Sequence, residues 1–573
     1  MSKKVMNPWC RVLSAAVLFM ICCAPGLATA QVSQLPPRSG ELQGVEREDR
    51  ETLRKRLEEQ DDFAPTQPPA QPVVPDRYFA IQSVEFIGNS VIAGEELAAA
   101  ANLAGKTAST SGIIEAAEAA ADVYHQRGYN LAQVVVPPQD LADGVLRLVV
   151  LEGRLDRDGL EVVDFSEGRI DVERMTEILL DGVNETDLIQ REPYERALRV
   201  VDTMPGVRSR SWLYPGDAVG TARLRAELYP EDAISGGLSL DNHGFRATGQ
   251  ERLTLDLRAL NPWQSHLQAD VLASVSAGGN SYIYGHVALP VGNDGLMLGA
   301  GGDYGRYETL EEKGFLPADG DYSHIEIDAR YPLYLTADDA LFGEVSINRT
   351  TQNDDSGFGS FGASVDFAEA SVDWLSSSIG ALARTSARAV LTYGDVTIDE
   401  GLDIFQTEGG FVRARIDIAH LRRWNPRIYS LHVVGGQVAD QNLNGYFQCH
   451  IGGAIGNRGY AVGEGTGDAC LSLDNELVFE VGPEGAEDRL QLFVIGDVAR
   501  IREFEQDIAL FESQYYTLAS VGIGSRWRLT DDLEINAEVA HQLEDSLRRQ
   551  RTGLDSDNRD SKTRYWLQVH YAF

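Results

Sequence analysis

The chain ends in nine residues of strictly alternating character, YWLQVHYAF at positions 565–573. In a β-strand, successive side chains point to opposite sides, so one face would be apolar and the other mixed. The apolar face comprises Tyr565, Leu567, Val569, Tyr571 and Phe573. Such a face would be sticky on a soluble edge strand, whereas a transmembrane β-strand requires it. The pattern favours a membrane barrel, with a strand of a soluble sandwich as the alternative.

The N-terminus predicts export from the cytoplasm. Basic residues precede an apolar run at 12–24, and the small-residue sequence ATA follows at 28–30. This order is typical of a secretory signal peptide. The run is too short to span a bilayer as a helix, which takes about 20 apolar residues. We therefore expect a signal peptide at 1–30, although a lipoprotein anchor on Cys22 or Cys23 stays open.

Charge and cysteine content exclude several classes of protein. With 87 acidic and 50 basic residues, the chain carries a formal charge of −37, which is unsuited to binding nucleic acid through phosphates. Three of the five cysteines lie in the signal, and the remaining pair, Cys449 and Cys470, excludes a disulfide-rich scaffold. Oxidation outside the cytoplasm would join that pair, and two reduced thiols are the alternative.

Two segments of unusual composition follow the signal. Residues 45–60 are highly charged and helical in character, with few apolar side chains to bury. The sequence APTQPPAQPVVP at 64–75 then holds five prolines, which favours an extended, semi-rigid spacer. We expect a weakly packed helix followed by a linker.

The periodicity of residues 78–227 predicts a β-α-α-β-β unit that occurs twice. The first copy has strands at 81–87, 132–136 and 145–151 and helices at 95–103 and 113–126. The second has strands at 160–165, 208–214 and 221–229 and helices at 172–180 and 194–204.

Beyond residue 230 helical periodicity gives way to period two, as in HIEIDARYPLYL at 324–335. Charged residues at alternate positions suit a polar lumen better than a packed sandwich core. Sixteen such runs occur, a spacing of about 21 residues that fits transmembrane strands with their turns. The sequence therefore predicts α+β domains followed by an all-β transmembrane barrel of about sixteen antiparallel strands.

No catalytic or metal-binding motif emerges. GFGSFG at 357–362 matches G-x-G-x-x-G, but it lies between alternating strands without the helix that a nucleotide site needs. The ten histidines are scattered without metal-ligand spacing. We expect this protein to have no enzymatic activity and to bind no cofactor or metal.

These pieces, in this order, resemble a two-partner secretion transporter, from the family that exports haemolysins and filamentous adhesins and belongs to the superfamily of barrel insertases. The matching stretches are VEFIGN at 84–89, RGY at 127–129, PQ at 138–139, DG at 143–144, EG at 152–153, MPG at 204–206, YPG at 214–216, GT at 220–221 and LDNHG at 240–244.

The resemblance implies a domain plan and a location in the outer membrane of a Gram-negative cell. Its parts are a signal at 1–30, a mobile plug helix at 31–62, a Pro-rich linker at 63–77, POTRA domains at 78–155 and 156–230 in the periplasm, and a barrel at 231–573 with an inward-folded loop at 445–470. A disordered leader at 31–62 is the alternative to the plug.

The most specific match is NRGY at 457–460, which resembles the superfamily's RGY motif on a loop tucked into the lumen. The resemblance implies that Arg458, with Gly459 and Tyr460, locks this loop by pairing with Asp497 on the inner wall two strands later. Such a guanidinium–carboxylate pair is directional enough to fix a loop. Asn457 replaces the usual aliphatic residue, and Ala499 replaces a glycine.

The implied function is a protein-conducting pore that recognises and exports a large β-helical exoprotein, a haemolysin or adhesin. Edge strands of the POTRA domains would bind the exoprotein, the barrel would face outer-membrane lipid, and the strand ending at Phe573 would be recognised by the barrel-assembly machinery. One alternative is a barrel insertase or assembly factor. Another is a diffusion porin with a periplasmic binding module.

Overall fold

The computed structural model describes residues 77–182, 188–311, 314–336, 338–377, 382–482, 489–508 and 512–573. The predicted signal at 1–30, the predicted plug helix at 31–62 and nearly all of the predicted linker at 63–77 lie outside the described residues. Within these ranges, we find no helix with the length and apolar character needed to cross a membrane.

The first periplasmic unit packs two helices on a three-stranded sheet. Its elements are β1 (Tyr78–Ile81), β2 (Ser83–Ile87), α1 (Gly94–Ala101), β3 (Lys106–Ser109), α2 (Thr110–Gln126), β4 (Gln133–Val135) and β5 (Val145–Leu151). Strand β5 lies between β2, which is parallel to it, and β4, which is antiparallel. Strand β3 pairs with β1 and was not predicted, because its sequence KTAS buries only Ala108.

Glu152, the first residue of the EG pair at 152–153, links two parts of the first unit through its side chain. Its side chain is buried, and it accepts hydrogen bonds from the main-chain N–H groups of Ser90 and Val91 and from the hydroxyls of Ser90 and Tyr124. Burial alone would raise the pKa of Glu152, but these bonds lower it overall. The carboxylate therefore ties the turn after β2 to the end of β5.

The second unit repeats the plan, with β6 (Arg154–Asp164), α3 (Val172–Gly182), α4 (Arg191–Thr203), β7 (Val207–Pro215) and β8 (Thr221–Pro230). Its sheet has the order β6–β8–β7, so β7 is an edge strand. The predicted boundary between residues 155 and 156 falls inside β6, because pairing with β8 already begins at Arg154.

The rest of the chain forms a closed antiparallel barrel of sixteen strands, which confirms the predicted fold class. Its strands are β9 (Ile234–Asp241), β10 (Arg252–Leu260), β11 (Gln268–Ser276), β12 (Ser281–Val291), β13 (Leu296–Glu308), β14 (Ala318–Leu335), β15 (Asp339–Ser356), β16 (Gly359–Ser377), β17 (Ala383–Glu400), β18 (Gly409–Asn425), β19 (Ile428–Ala439), β22 (Ala469–Val481), β23 (Arg489–Arg502), β24 (Tyr515–Arg528), β25 (Leu533–Gln542) and β26 (Thr563–Ala572).

The last strand closes the barrel and shows the expected two faces. Strand β26 pairs with β9, and the terminal Phe573 exchanges two main-chain hydrogen bonds of 2.9 Å with Gly236. Tyr565 is 69% exposed on the outside, whereas its neighbour Trp566 is 3% exposed on the inside. Strands β14 to β18, at 17 to 19 residues, are longer than the 9 to 11 or so that a membrane crossing needs.

The second unit is attached firmly to the periplasmic rim of the barrel. Arg196 on α4 donates to the carbonyl of Pro332 at 3.1 Å and to the hydroxyl of Tyr331 at 3.2 Å. Arg174 on α3 donates to the carbonyl of Gly292 at 2.7 Å. Leu335 of the barrel is buried in the apolar core of this unit. These contacts hold the second unit against one rim of the barrel.

Candidate functional site

The candidate site is the connection between β19 and β22, residues 440–468, which we call the inner loop. Because β9 leaves the periplasmic units and strands alternate in direction, this connection opens on the extracellular side. It then folds inward as a 3-10 turn (Gly445–Phe447) and a hairpin of β20 (Cys449–Ile451) and β21 (Gly465–Gly467). The predicted range of 445–470 was slightly displaced, since Cys470 already belongs to the wall strand β22.

Arg458, at the tip of the inner loop, is held by Asp497 on β23. Two guanidinium nitrogens of Arg458, Nε and Nη2, donate to the two oxygens of that carboxylate at 3.0 and 2.7 Å. The main-chain N–H of Arg458 donates to Asp497 Oδ2 as well, at 3.1 Å. The Asp497 side chain is fully buried and that of Arg458 is 6% exposed. A bidentate pair with a third bond to the main chain fixes both the position and the rotation of the loop tip.

Three further charged side chains complete what we call the arginine cluster. Glu476 on β22 accepts from Arg458 Nη1 and lies 3.5 Å from Arg526 on β24, while Glu538 on β25 lies 3.8 Å from Arg458. The cluster thus holds three carboxylates and two guanidinium groups, all nearly buried. Of the three carboxylates, only Asp497 was predicted from the sequence to be a partner of Arg458. The other two could have been found as acidic residues at lumen-facing positions of nearby strands, Glu476 on β22 and Glu538 on β25.

Gly459 and Tyr460 seat the loop tip against the wall. The N–H of Gly459 donates to the hydroxyl of Ser520 at 3.2 Å, and a Cβ at this glycine would lie 2.5 Å from the Cβ of Ser520. The Tyr460 hydroxyl donates to the carbonyl of Glu544 at 2.7 Å and accepts from the N–H of Ala519 at 3.0 Å. The structure therefore brings together Arg458, Gly459, Tyr460 and Asp497, as the motif implied.

The two departures from the family pattern have different consequences. Ala499 is buried in the same apolar cluster as Tyr460, so its methyl group is accommodated. Asn457 is fully buried, and its side-chain amide has no hydrogen-bond partner within the described part of the chain. We find no compensating interaction for Asn457.

Aromatic side chains hold the loop on the other side of the lumen. Phe447 lies 4.9 Å from the ring of Phe367 on β16 and 4.7 Å from that of Phe411 on β18. The guanidinium of Arg413 lies 5.0 Å over the Phe447 ring and pairs with Glu369 at 3.0 Å. Because one end of the inner loop contacts β16 to β18 and the other contacts β22 to β26, the loop spans the barrel interior.

The stem of the loop is tied to the wall covalently. Cys449 on β20 and Cys470 on β22 form a disulfide. Beside it, Asp468 accepts hydrogen bonds from Gln448 at 2.8 Å and from the N–H groups of Leu443 and Glu505. Burial raises the pKa of Asp468 to about 6. The stem is thus anchored independently of the arginine cluster.

In the described ranges, no group of three or more His, Cys, Asp or Glu side chains could hold a metal ion.

Two family models match this chain. Residues 79–153 match the POTRA domain of ShlB type, and residues 220–527 match the haemolysin secretion/activation protein family ShlB/FhaC/HecB. The second match includes the inner loop with Arg458 and the wall strand with Asp497, and it covers more than half of the chain.

The chain belongs to the haemolysin secretion/activation protein family.

Two curated relatives also resemble this chain. The heme/hemopexin transporter protein HuxB of Haemophilus influenzae is 22% identical over 525 residues, which cover 86% of this chain and 87% of the relative. The outer membrane transporter CdiB of Dickeya dadantii is 28% identical over 130 residues, covering 23% of this chain and 22% of the relative.

The solved structures show the fold. CdiB from Escherichia coli aligns with a TM-score of 0.73 at 16% identity, covering 94% of this chain and 99% of that one. CdiB from Acinetobacter baumannii aligns with a TM-score of 0.64 at 15% identity, covering 94% and 100%.

As a member of the haemolysin secretion/activation family, this protein is a two-partner secretion transporter of the outer membrane, with its POTRA region in the periplasm. The family predicted from the sequence motifs is therefore confirmed. The insertase alternative has less support, because the longest family match is to secretion proteins.

Proposed function

We propose that the protein recruits one large exoprotein at its two periplasmic units and passes it as an extended chain through the barrel lumen. The observation that carries the proposal is the inner loop, which spans the interior and is fixed at its tip by a buried ion pair rather than by apolar packing alone. In this proposal, the loop moves aside to let an extended polypeptide pass. The loop is therefore the gate of the export route.

Recruitment fits the free edge of the second unit. Strand β7 is the edge of its sheet, and its outer face exposes Trp212 and Tyr214. An extended segment can add to such an edge through main-chain hydrogen bonds, with aromatic side chains contributing selectivity. Because this unit is docked on the barrel rim, a bound segment would start close to the lumen.

The wall of the lumen suits a moving, unfolded chain. Charges of both signs face inward and are paired with one another, as in His286 with Asp328 at 2.8 Å and Arg388 with Glu344 at 3.5 Å. Paired charges bind a passing polypeptide weakly, since each already has a partner. Folding of a β-helical exoprotein at the cell surface would supply direction, because the periplasm holds no ATP.

The outer face of the barrel meets lipid, and the last strand carries the signal for assembly. Tyr565, Leu567 and Tyr571 are exposed along β26, and Phe573 ends the strand beside β9. In membranes, this exposed apolar row contacts acyl chains. We assign recognition by the barrel-assembly machinery to the same strand.

Deleting the gene for this protein tests the proposal. We expect the exoprotein to disappear from the medium and from the cell surface, while the amounts of other outer-membrane barrels stay unchanged. A general fall in those barrels would instead identify an insertase. A loss of small-solute uptake with normal exoprotein release would identify a porin.

A further inference from the structure

A second extracellular connection holds the inner loop from outside. This connection, residues 543–562, joins β25 to β26 and contains the helix α5 (Leu547–Thr552). We call it the outer segment. It forms hydrogen bonds to three residues of the loop tip. The Tyr460 hydroxyl donates to the carbonyl of Glu544, the Ser556 hydroxyl donates to the carbonyl of Val462 at 3.4 Å, and Glu464 accepts from the N–H of Ser556.

Glu464 makes the strongest of these contacts. Its carboxylate is buried, with the residue 7% exposed. One carboxylate oxygen accepts from the hydroxyl of Ser546, and the other accepts from the main-chain N–H of Ser556. Both donors belong to the outer segment. If the loop tip left its seat, the carboxylate would lose both bonds, which is costly for a charged group in a buried place.

The donors are held ready by the fold of the outer segment itself. Ser546 is the N-cap of α5, since its hydroxyl accepts from the N–H of Arg549 at 3.1 Å. Arg549 pairs with the fully buried Asp555 at 3.1 Å, and Asp555 also pairs with Arg564 on the wall strand β26. The outer segment thus has its own attachment to the wall strand β26, in addition to the packing of Leu547 against Tyr460 of the inner loop, and it presents a preformed pair of donors.

We propose that Glu464 is a second positioning residue of the export gate, holding the loop tip from the extracellular side while Arg458 holds it from within. The two attachments lie six residues apart on one short tip and use different parts of the wall. Transport therefore requires both to be released. The inference rests on the proposed function only in that it treats the inner loop as the gate.

Single-channel recording on the full-length protein in a planar bilayer tests the inference. The variants are Glu464→Ala, Asp497→Ala and the two combined. We expect each single change to raise the open fraction roughly tenfold or more, since each removes hydrogen bonds to a buried charge. Because the attachments are independent, the increases should multiply in the double variant. A double variant no more open than Asp497→Ala would overturn the proposal.

A matched control removes an ion pair of the outer segment that does not involve the inner loop. Glu503 pairs with Arg551 on α5 at 2.9 Å. Glu503→Ala should leave the open fraction at the wild-type value, and an increase equal to that of Glu464→Ala would overturn the proposal. Glu464→Gln keeps the volume but turns one acceptor into a donor, so its open fraction should lie between those of wild type and Glu464→Ala.

Heat-modifiable migration in gel electrophoresis shows that each variant forms a folded barrel before it is recorded. Conductance needs no exoprotein, so a negative result rejects the role of Glu464 and leaves the export proposal to its own deletion test.

Discussion

The indole nitrogen of Trp566 donates a 2.8 Å hydrogen bond to the main-chain oxygen of Arg458. Trp566 lies on β26, and its ring meets the ring of His243, in the connection after β9, edge-on at 5.8 Å. The bond therefore links the tip of the inner loop to the seam where the last strand closes on the first. Loop seating and barrel closure share this one side chain.

Trp566→Phe keeps an aromatic ring at the seam and removes the donor. We expect the open fraction in planar bilayers to rise several-fold, because a net hydrogen bond contributes about 1 kcal/mol. Trp424→Phe is the matched control, since it removes the indole bond to Ser430 far from the loop. Equal open fractions in wild type, Trp566→Phe and Trp424→Phe would show that the Trp566 bond does not hold the loop.

Gly459→Ala should unseat the loop tip. The added methyl carbon would lie 2.5 Å from the Ser520 Cβ. The loop tip cannot move away from Ser520 without losing the hydrogen bond from the Gly459 N–H to the Ser520 hydroxyl. Secretion should fall and conductance rise, while the barrel still assembles. The control is Gly496→Ala on β23, where an added Cβ meets no atom within 4 Å. Wild-type secretion by Gly459→Ala would contradict the tight seat.

The disulfide between Cys449 and Cys470 should survive in the mature protein. Unfolded but unreduced protein is expected to react with no maleimide at these positions, and to react with two equivalents after reduction. Replacing both cysteines with alanine should lower the stability of the loop by about 3 kcal/mol in the chain-entropy model. Full labelling without reductant would rule out the bridge.

Glu152→Gln should loosen the first periplasmic unit. The change weakens bonds from Ser90, Val91 and Tyr124, and hydrogen bonds to a charged group contribute about 1.5–3 kcal/mol each. We expect faster hydrogen exchange in α1 and α2 of the full-length protein at neutral pH. Glu85→Gln, at a half-exposed pair with Arg147, is the control.

The pH dependence of this effect has a definite sign. The folded pKa of Glu152 lies below its ordinary value of 4.5, so its stabilisation is present above that value and is lost as pH falls through the folded pKa. Exchange rates of wild type and Glu152→Gln should therefore converge in acid. A difference that stays constant from neutral to acid pH would contradict the role of the charged carboxylate.

Most of the fold was predictable because alternation along a barrel strand is a local property. The four outward residues of β26 and the terminal Phe573 could be read directly from the sequence, and so could the lumen-facing position of Asp497. Strand β3 was missed because one buried alanine in four residues leaves no detectable pattern. Helix α5 has only six residues, which is too short for helical periodicity to appear.

The site was only partly predictable, for a different reason. The alternation along a strand predicts that a charged residue lies on the inner wall, but it does not predict which of the inward charges form pairs. Glu476 and Arg526 look like any other lumen-facing residues until the barrel curvature brings β22 and β24 to the same loop tip. The bond from Trp566 joins residues more than 100 positions apart, so it depends wholly on where the inner loop lies.

The arginine cluster predicts unequal effects of its two main members. Arg458→Ala leaves three buried carboxylates with only Arg526, whereas Asp497→Ala leaves Arg458 with Glu476 and Glu538. Breaking a buried ion pair typically costs about 3–5 kcal/mol. We expect both variants to assemble barrels and to secrete poorly, with Arg458→Ala the more defective.

The most direct test of the account is a double-mutant cycle on exoprotein secretion with Arg458→Ala, Asp497→Ala and the combined variant. If the two residues act as one lock on the inner loop, the combined variant will secrete no worse than Arg458→Ala alone. If the two defects simply add, Arg458 and Asp497 act independently, and the assignment of this pair as the lock of the export gate is wrong.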